Sequence, residues 1–239
     1  MSVLNIEDCL VVDRAQKIIA RNRERSSQYS VDYLGVKLSI DADVFSPEFG
    51  EGSKMLTEML LRWPRNESAV LEIGTGTGVL SIISSRFSDR IVATDISVKA
   101  VGCAGKNVRL NNAQGNISVR CGDLFDALTY GEKFSLVVFN PPFMGSQPIE
   151  TSESHLISAM YDEGHRTLKR FLAGVSRFLL PHGRILLAFS NCGDVSLLEK
   201  EITDNDYNYS RHTIAQGGLE FYAYEIKIKS DKTGWIASD

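Results

Sequence analysis

From Ser68 onward the chain repeats one pattern: a short apolar run that ends at a polar residue, a glycine or a proline, then a stretch with helical spacing. The runs are AVLEI, RIVATD, ISVR, FSLVVFN and RILLAFS, and the helical stretches fall at about Val79–Phe87, Val98–Asn111, Tyr161–Leu179 and Val195–Thr203. Near-continuous apolar runs suit strands covered on both faces, and strand–helix alternation calls for a parallel sheet with helices packed on both sides. Two further strands, around Asn208–Thr213 and Phe221–Lys229, follow one another through AQGG, which predicts an antiparallel hairpin at one edge. The expected fold is α/β, with a seven-stranded, mostly parallel sheet.

The first part of the chain differs. Residues from about Ile6 to Arg25 have a helical rhythm, with Leu10, Val11, Ala15, Ile18 and Ile19 on one side. YLGVKLSIDADVF then predicts a short strand or hairpin, and Met55, Leu56, Met59 and Leu60 mark a helix from about Ser53 to Trp63. The economical division is an N-terminal extension over 1–45 and one domain over 46–239. At 239 residues, with 43% hydrophobic and 23% charged residues, the chain reads as an ordinary globular protein. Its net charge of -4 supplies no global basic field of the kind that drives nonspecific nucleic-acid binding. Cys9, Cys103, Cys121 and Cys192 are scattered without metal or disulfide spacing, so no metal site is expected. The N-terminus lacks the pattern of a secretory signal and no apolar run could span a bilayer, so the expected address is cytoplasmic.

Chemistry concentrates at strand ends. LEIGTGTGVL places Gly74, Gly76 and Gly78 where a helix begins, which lets backbone approach a ligand closely beside free N–H groups. Glu72 lies two residues before the first glycine; a carboxylate there would repel a pyrophosphate but pair with a cation. Asp95 ends the next strand, placed to accept hydrogen bonds from ribose hydroxyls, although Asp95 or Ser97 could instead cap the following helix. Asp123 in CGDLFD falls at the same edge, where it could reach an adenine amino group or act as a cap.

The fourth strand ends in VVFNPPF, residues 137–143. Pro141 and Pro142 stop the ladder because they carry no N–H, and they force extended backbone at Asn140. The Asn140 amide and the Pro141 carbonyl are thereby left at the carboxyl edge, where open α/β sheets bind ligands. A plain strand-ending turn remains the competing reading of this motif.

Taken together, LEIGTGTGVL, the acid of VATD, CGDLFD and VVFNPPF resemble the class I S-adenosylmethionine-dependent methyltransferases, in order and spacing, over roughly Val44 to Phe189. The likeness is nearest to the branch of protein-glutamine and adenine-N6 methyltransferases, whose motif is (N/D/S)PP(Y/F/W). ADVFSPEFGEGSKMLTEML and EGHRTLKRFLAGVSRFLLPHGRILLAFS resemble flanking segments of that branch. The resemblance implies a Rossmann-like sheet and transfer of a methyl group from S-adenosylmethionine, leaving S-adenosylhomocysteine. It implies that Glu72, Gly74, Thr75, Gly76 and Gly78 face the methionine part, Asp95 and Ile96 the ribose, and Asp123 and Leu124 the adenine. Asn140, also beside the cofactor, would act with Pro141 and Phe143 on a planar amide or exocyclic amino nitrogen.

Asn140 Oδ1 and the Pro141 carbonyl would accept the two N–H groups of that nitrogen, steering its lone pair toward the methyl. Phe143 would stack on the planar acceptor, although ordinary core packing explains a phenylalanine there equally well. Acceptors compatible with the residues are a protein side chain, a nucleic-acid base or a small metabolite. Two other functions share the sheet: an NAD(P)-dependent oxidoreductase, disfavoured by Val79 where its fingerprint needs a small residue, and a non-catalytic binding module. GSQPIETSESHLISAMYDEG, after NPPF, is long and polar enough to select substrate. His155 and His165 in and after it read as exposed or helix-end residues, and His182 as a turn residue.

Overall fold

The computed structural model describes residues 28–62, 67–145 and 155–229, with helical backbone also at Lys17, Ala20, Arg21 and Glu24. Most of the helix expected over 6–25, together with Cys9 and residues 146–154 of the long loop, lies outside the described residues.

Strands β1 (Tyr29–Tyr33) and β2 (Val36–Ile40) form a separate antiparallel hairpin. The main sheet comprises β3 (Val70–Ile73), β4 (Ile91–Asp95), β5 (Ile117–Cys121), β6 (Phe134–Phe139), β7 (Leu179–Ser190), β8 (Tyr207–Gln216) and β9 (Leu219–Ile228). Their spatial order is β5-β4-β3-β6-β7-β9-β8. The first five are parallel and β9 and β8 complete an antiparallel edge, the architecture that the alternating pattern predicts. Gly217 and Gly218, both at positive φ, close the β8–β9 turn in the conformation that two-residue hairpins demand.

Period-two alternation sends neighbouring side chains into two cores. Val70, Leu136, Val138, Leu186 and Ala188 face one, covered by α1 (Glu51–Arg62), α2 (Val79–Ser84), α3 (Val98–Leu110) and the β1–β2 hairpin. Leu71, Ile73, Val137, Phe139, Ile185 and Leu187 face the other, covered by α4 (Arg166–Val175) and α5 (Val195–Asp204). Each such buried side chain contributes about 1.5–3 kcal/mol. A fully buried amide, Asn107 on α3, joins the hairpin to the glycine loop. Its Oδ1 accepts the Ser39 N–H at 2.7 Å and its Nδ2 donates to the Thr77 carbonyl at 2.9 Å.

The helix expected over Tyr161–Leu179 is shorter than its spacing suggests. Tyr161 forms a bridge with Met144, and Gly164 and His165 adopt positive φ before α4 begins at Arg166. Leu179 already belongs to β7, which shifts register against β6 before Arg184; Pro181 and His182, the latter at φ 62°, lie in that irregular stretch. Arg184 is itself buried and pairs with Glu67 at 2.6 Å, both side chains under 10% exposed.

Candidate active site

Ile73 on β3 and Phe139 on β6 are register partners, so Gly74 and Asn140 leave the sheet side by side. Here the strand order reverses, with β4 following β3 on one side and β6 adjoining on the other; such switch points form crevices outside the carboxyl ends of strands. A cavity of about 400 Å³ opens there, within the usual range for small-molecule sites. Its walls include Glu72, Gly74, Thr75, Gly76, Asp95, Ile96, Asp123, Leu124, Asn140, Pro141 and Phe143. Gly78 is not among them: at φ 83° it starts α2, and an added Cβ would lie 3.2 Å from the Ala104 backbone. That glycine permits close helix packing, whereas Gly76 has open space around it.

Glu72 occupies a position on β3 whose side chain turns toward the same core as Val70. It is buried, and its Oε2 accepts from Thr75 Oγ1 at 2.7 Å, from the Ser81 N–H at 3.0 Å and from the Ser81 hydroxyl. Burial pushes its carboxyl up to about 7, against the pull of those hydrogen bonds and with a smaller push from Asp95. A carboxyl so disfavoured as an anion, set in a cavity wall, gains from a nearby cation.

Asp95 spends its two oxygens separately: Oδ2 accepts the Gly76 N–H and Oδ1 the Ser97 N–H, each at 2.9 Å. The cap of α3 is Ser97, whose Oγ accepts from the Ala100 N–H, so Asp95 ties the glycine loop to the end of β4. Ile96 beside it is 68% exposed, an apolar face left on the rim. Asp123 Oδ2 pairs with Arg170 of α4 at 2.9 Å.

Asn140 donates through Nδ2 to Ser53 Oγ at 3.0 Å, while its Oδ1 is buried and has no hydrogen-bond partner among the described residues. A buried amide oxygen left so is uncommon enough to mark a place where a donor is missing. Phe143 packs edge-on against Phe189 at 5.9 Å, yet it is only half-buried and lines the cavity. The Met144 N–H donates to the Met160 carbonyl at 3.0 Å, closing the base of the long loop, and both residues join Phe45, Phe143 and Tyr161 in an apolar wall.

Ser53 and Gly52 of α1 are site residues that the sequence reading missed; the only signal was the likeness of their segment to the family's upstream stretch. His165 stands at a helix end, as the N-cap of α4, one of the two places expected of it, but it is not exposed. It is buried, its Nε2 accepts the Asp194 N–H at 3.4 Å, and burial lowers its pKa. It packs beside Gly145 and does not line the cavity. Among the described residues, no helix is long and apolar enough to cross a membrane, and no cluster of His, Cys, Asp and Glu could hold a metal.

Residues 35–191 match the model of the methyltransferase small domain. A Methanocaldococcus jannaschii protein, provisionally named a protein N5-glutamine methyltransferase, is 33% identical over 71% of this chain and 84% of its own. The release factor glutamine methyltransferase of Bordetella pertussis is 29% identical, and the match spans 64% of this chain but only 59% of that one. Among solved structures, the ribosomal protein L11 methylase of Lactobacillus delbrueckii shares the fold, with a TM-score of 0.54 and 19% identity over 75% of this chain and 78% of its own. These likenesses leave no place for a nicotinamide oxidoreductase: with about two thirds of its length matched, the chain belongs to the methyltransferase small domain family.

Proposed function

We propose that the protein transfers a methyl group from S-adenosylmethionine to a planar amide nitrogen, and that the acceptor is a glutamine side chain of a protein in the translation apparatus. The observation that carries this reading is the buried, partnerless Oδ1 of Asn140 beside the glycine loop. It is an acceptor whose hydrogen-bonding capacity the described residues leave unused, on a side chain that lines the cavity a substrate amide would enter.

The cavity residues fit the cofactor on their own chemistry. Glu72, with its raised pKa, suits a cationic group, and the side-chain-free loop at Gly74 and Gly76 admits close backbone contact. Asp95 places a carboxylate in the cavity wall, the group that hydroxyl donors call for, and exposed Ile96 offers an apolar face. Glu72 with Gly74, Thr75 and Gly76 would hold the methionine part, Asp95 and Ile96 the ribose, and Asp123 and Leu124 the adenine. Bound, the cofactor supplies a methyl group on a positively charged sulfur.

The remaining chemistry belongs to the strand end. An amide nitrogen is a weak nucleophile because its lone pair is delocalised into the carbonyl. Asn140 Oδ1 and the Pro141 carbonyl, by accepting both its N–H groups, orient the lone pair and stabilise positive charge as it develops. Phe143 presents a ring face to the planar group. Asn140 is neutral and takes no proton; the proton departs to water after transfer.

The relatives' names supply the acceptor class, since they act on glutamine, and the charge of -4 favours a protein over a polyanion. The test is transfer of label from methyl-labelled S-adenosylmethionine to total protein, total RNA and small-molecule extract. Label recovered as N5-methylglutamine after enzymatic digestion is expected. Label confined to RNA or to small molecules overturns the acceptor, and absence of both label and cofactor binding overturns the activity.

A further inference from the structure

We propose that Ser53 and Gly52, in the first turn of α1, form a clamp that sets the orientation of the Asn140 amide, making Ser53 a positioning residue for transfer. The inference rests on the methyl-transfer reading of the site.

An asparagine side chain at the end of a strand can rotate, and its two ends have opposite hydrogen-bonding character. Only the oxygen can receive an N–H from an acceptor amide. Ser53 Oγ lies 3.0 Å from Nδ2 and so gives the nitrogen a partner inside the protein, leaving Oδ1 at the other end. Ser53 Oγ can accept from Nδ2 or donate to Oδ1, so the second restraint is the slot at Gly52, where the amide end stands 2.6 Å from the place of a Cβ and beside Ala188, and an NH2 group with its two hydrogens fits that slot less well than the oxygen. Ser53 is itself buried, which shields this hydrogen bond from competition with water.

Gly52 explains the space. Its φ is outside the left-handed region, so the backbone does not require glycine, and glycine is a poorer helix former than alanine. What excludes a side chain is its neighbours: a Cβ would stand 2.6 Å from Asn140 Oδ1 and 3.1 Å from Ala188 Cβ. The missing methyl group is therefore the slot that holds the oxygen. Helix α1 reaches Asn140 from 87 residues away in sequence, and it contributes to the site by fixing which end of the amide points where.

The test begins with a readout independent of substrate. In 15N-labelled protein, the Asn140 side-chain NH2 pair is identified by its loss in Asn140→Ala. Ser53→Ala and Gly52→Ala are expected to shift that pair and speed its hydrogen exchange by about tenfold or more, and Ser53→Thr, which keeps the hydroxyl, to restore protection. Turnover on purified release factor should fall by about tenfold in Ser53→Ala with cofactor affinity retained, and Ser53→Ala should add nothing in the Asn140→Ala background. An NH2 pair unmoved by both substitutions overturns the clamp. S-adenosylhomocysteine binding, titrated on the wild-type chain in parallel, reports on the methyl-transfer reading alone.

Discussion

Ser81 directs both its backbone N–H and its hydroxyl at a single oxygen of Glu72. The first turn of α2 is thereby fastened to β3 through a carboxyl whose pKa burial raises even against these hydrogen bonds. One residue thus serves two ends, holding the glycine loop in shape and presenting a cation-seeking group to the cavity.

This arrangement predicts a specific pH dependence of stability. The folded Glu72 titrates at about 7 against an ordinary 4.5, so the folded chain holds a proton that the unfolded chain has released. Its stabilising contribution is full below about 4.5 and is lost as pH rises toward about 7, by an amount on the order of 3 kcal/mol. Urea denaturation of the wild type and of Glu72→Gln, at about pH 5 and about pH 8, should show a difference that diminishes in the variant. Equal slopes would show that Glu72 does not titrate in this window.

Asn140→Ala should leave S-adenosylhomocysteine affinity nearly unchanged and lower kcat on the order of 10²-fold, as loss of a transition-state hydrogen-bond acceptor does. Calorimetry and steady-state rates measured on the same preparation separate the two effects. Parallel losses in both would mark Asn140 as a structural residue.

Asp95→Ala removes the acceptor for the Gly76 and Ser97 N–H groups together. Cofactor affinity should weaken by about 10- to 100-fold, and the Tm should fall as well, because two backbone N–H groups lose a charged acceptor. Asp95→Asn keeps an oxygen and should fall between. Unaltered affinity in Asp95→Ala would remove Asp95 from the binding site.

Far from the cavity, the pair of Arg184 and Glu67 gives a test of the core. Arg184→Met alone leaves a buried carboxylate unpaired and should cost about 3–5 kcal/mol, whereas Arg184→Met with Glu67→Leu should recover most of that loss. Chemical denaturation of the single and double variants measures the coupling; an additive result would show that the ion pair is not a unit.

The sheet was legible because its strands are near-continuous apolar runs and their ends carry the punctuation of Gly, Asp and Asn-Pro. Where local sequence is silent, reading failed. Tyr161 belongs to a helical pattern but is drawn into a bridge with Met144 by a contact that spacing does not encode. His165 sits in the polar string EGHRT, and its burial arises only when α5 and Gly145 close around it. Ser53 carries no motif of its own, because its partner lies on another strand end. Gly78 showed the opposite problem: a motif glycine whose role is packing against Ala104.

The pairing of Ile73 with Phe139 has a further consequence. The glycine loop and Asn140, which we propose serve donor and acceptor, leave adjacent strands of one ladder, spaced about 4.8 Å as hydrogen-bonded strands are, even though their segments are separated by more than sixty residues of chain. The gap that a methyl group must cross is therefore set by the same geometry that makes a sheet a sheet. Loops around the mouth can lengthen, shorten or change charge and so recruit new substrates, while the reach of the reaction stays calibrated beneath them.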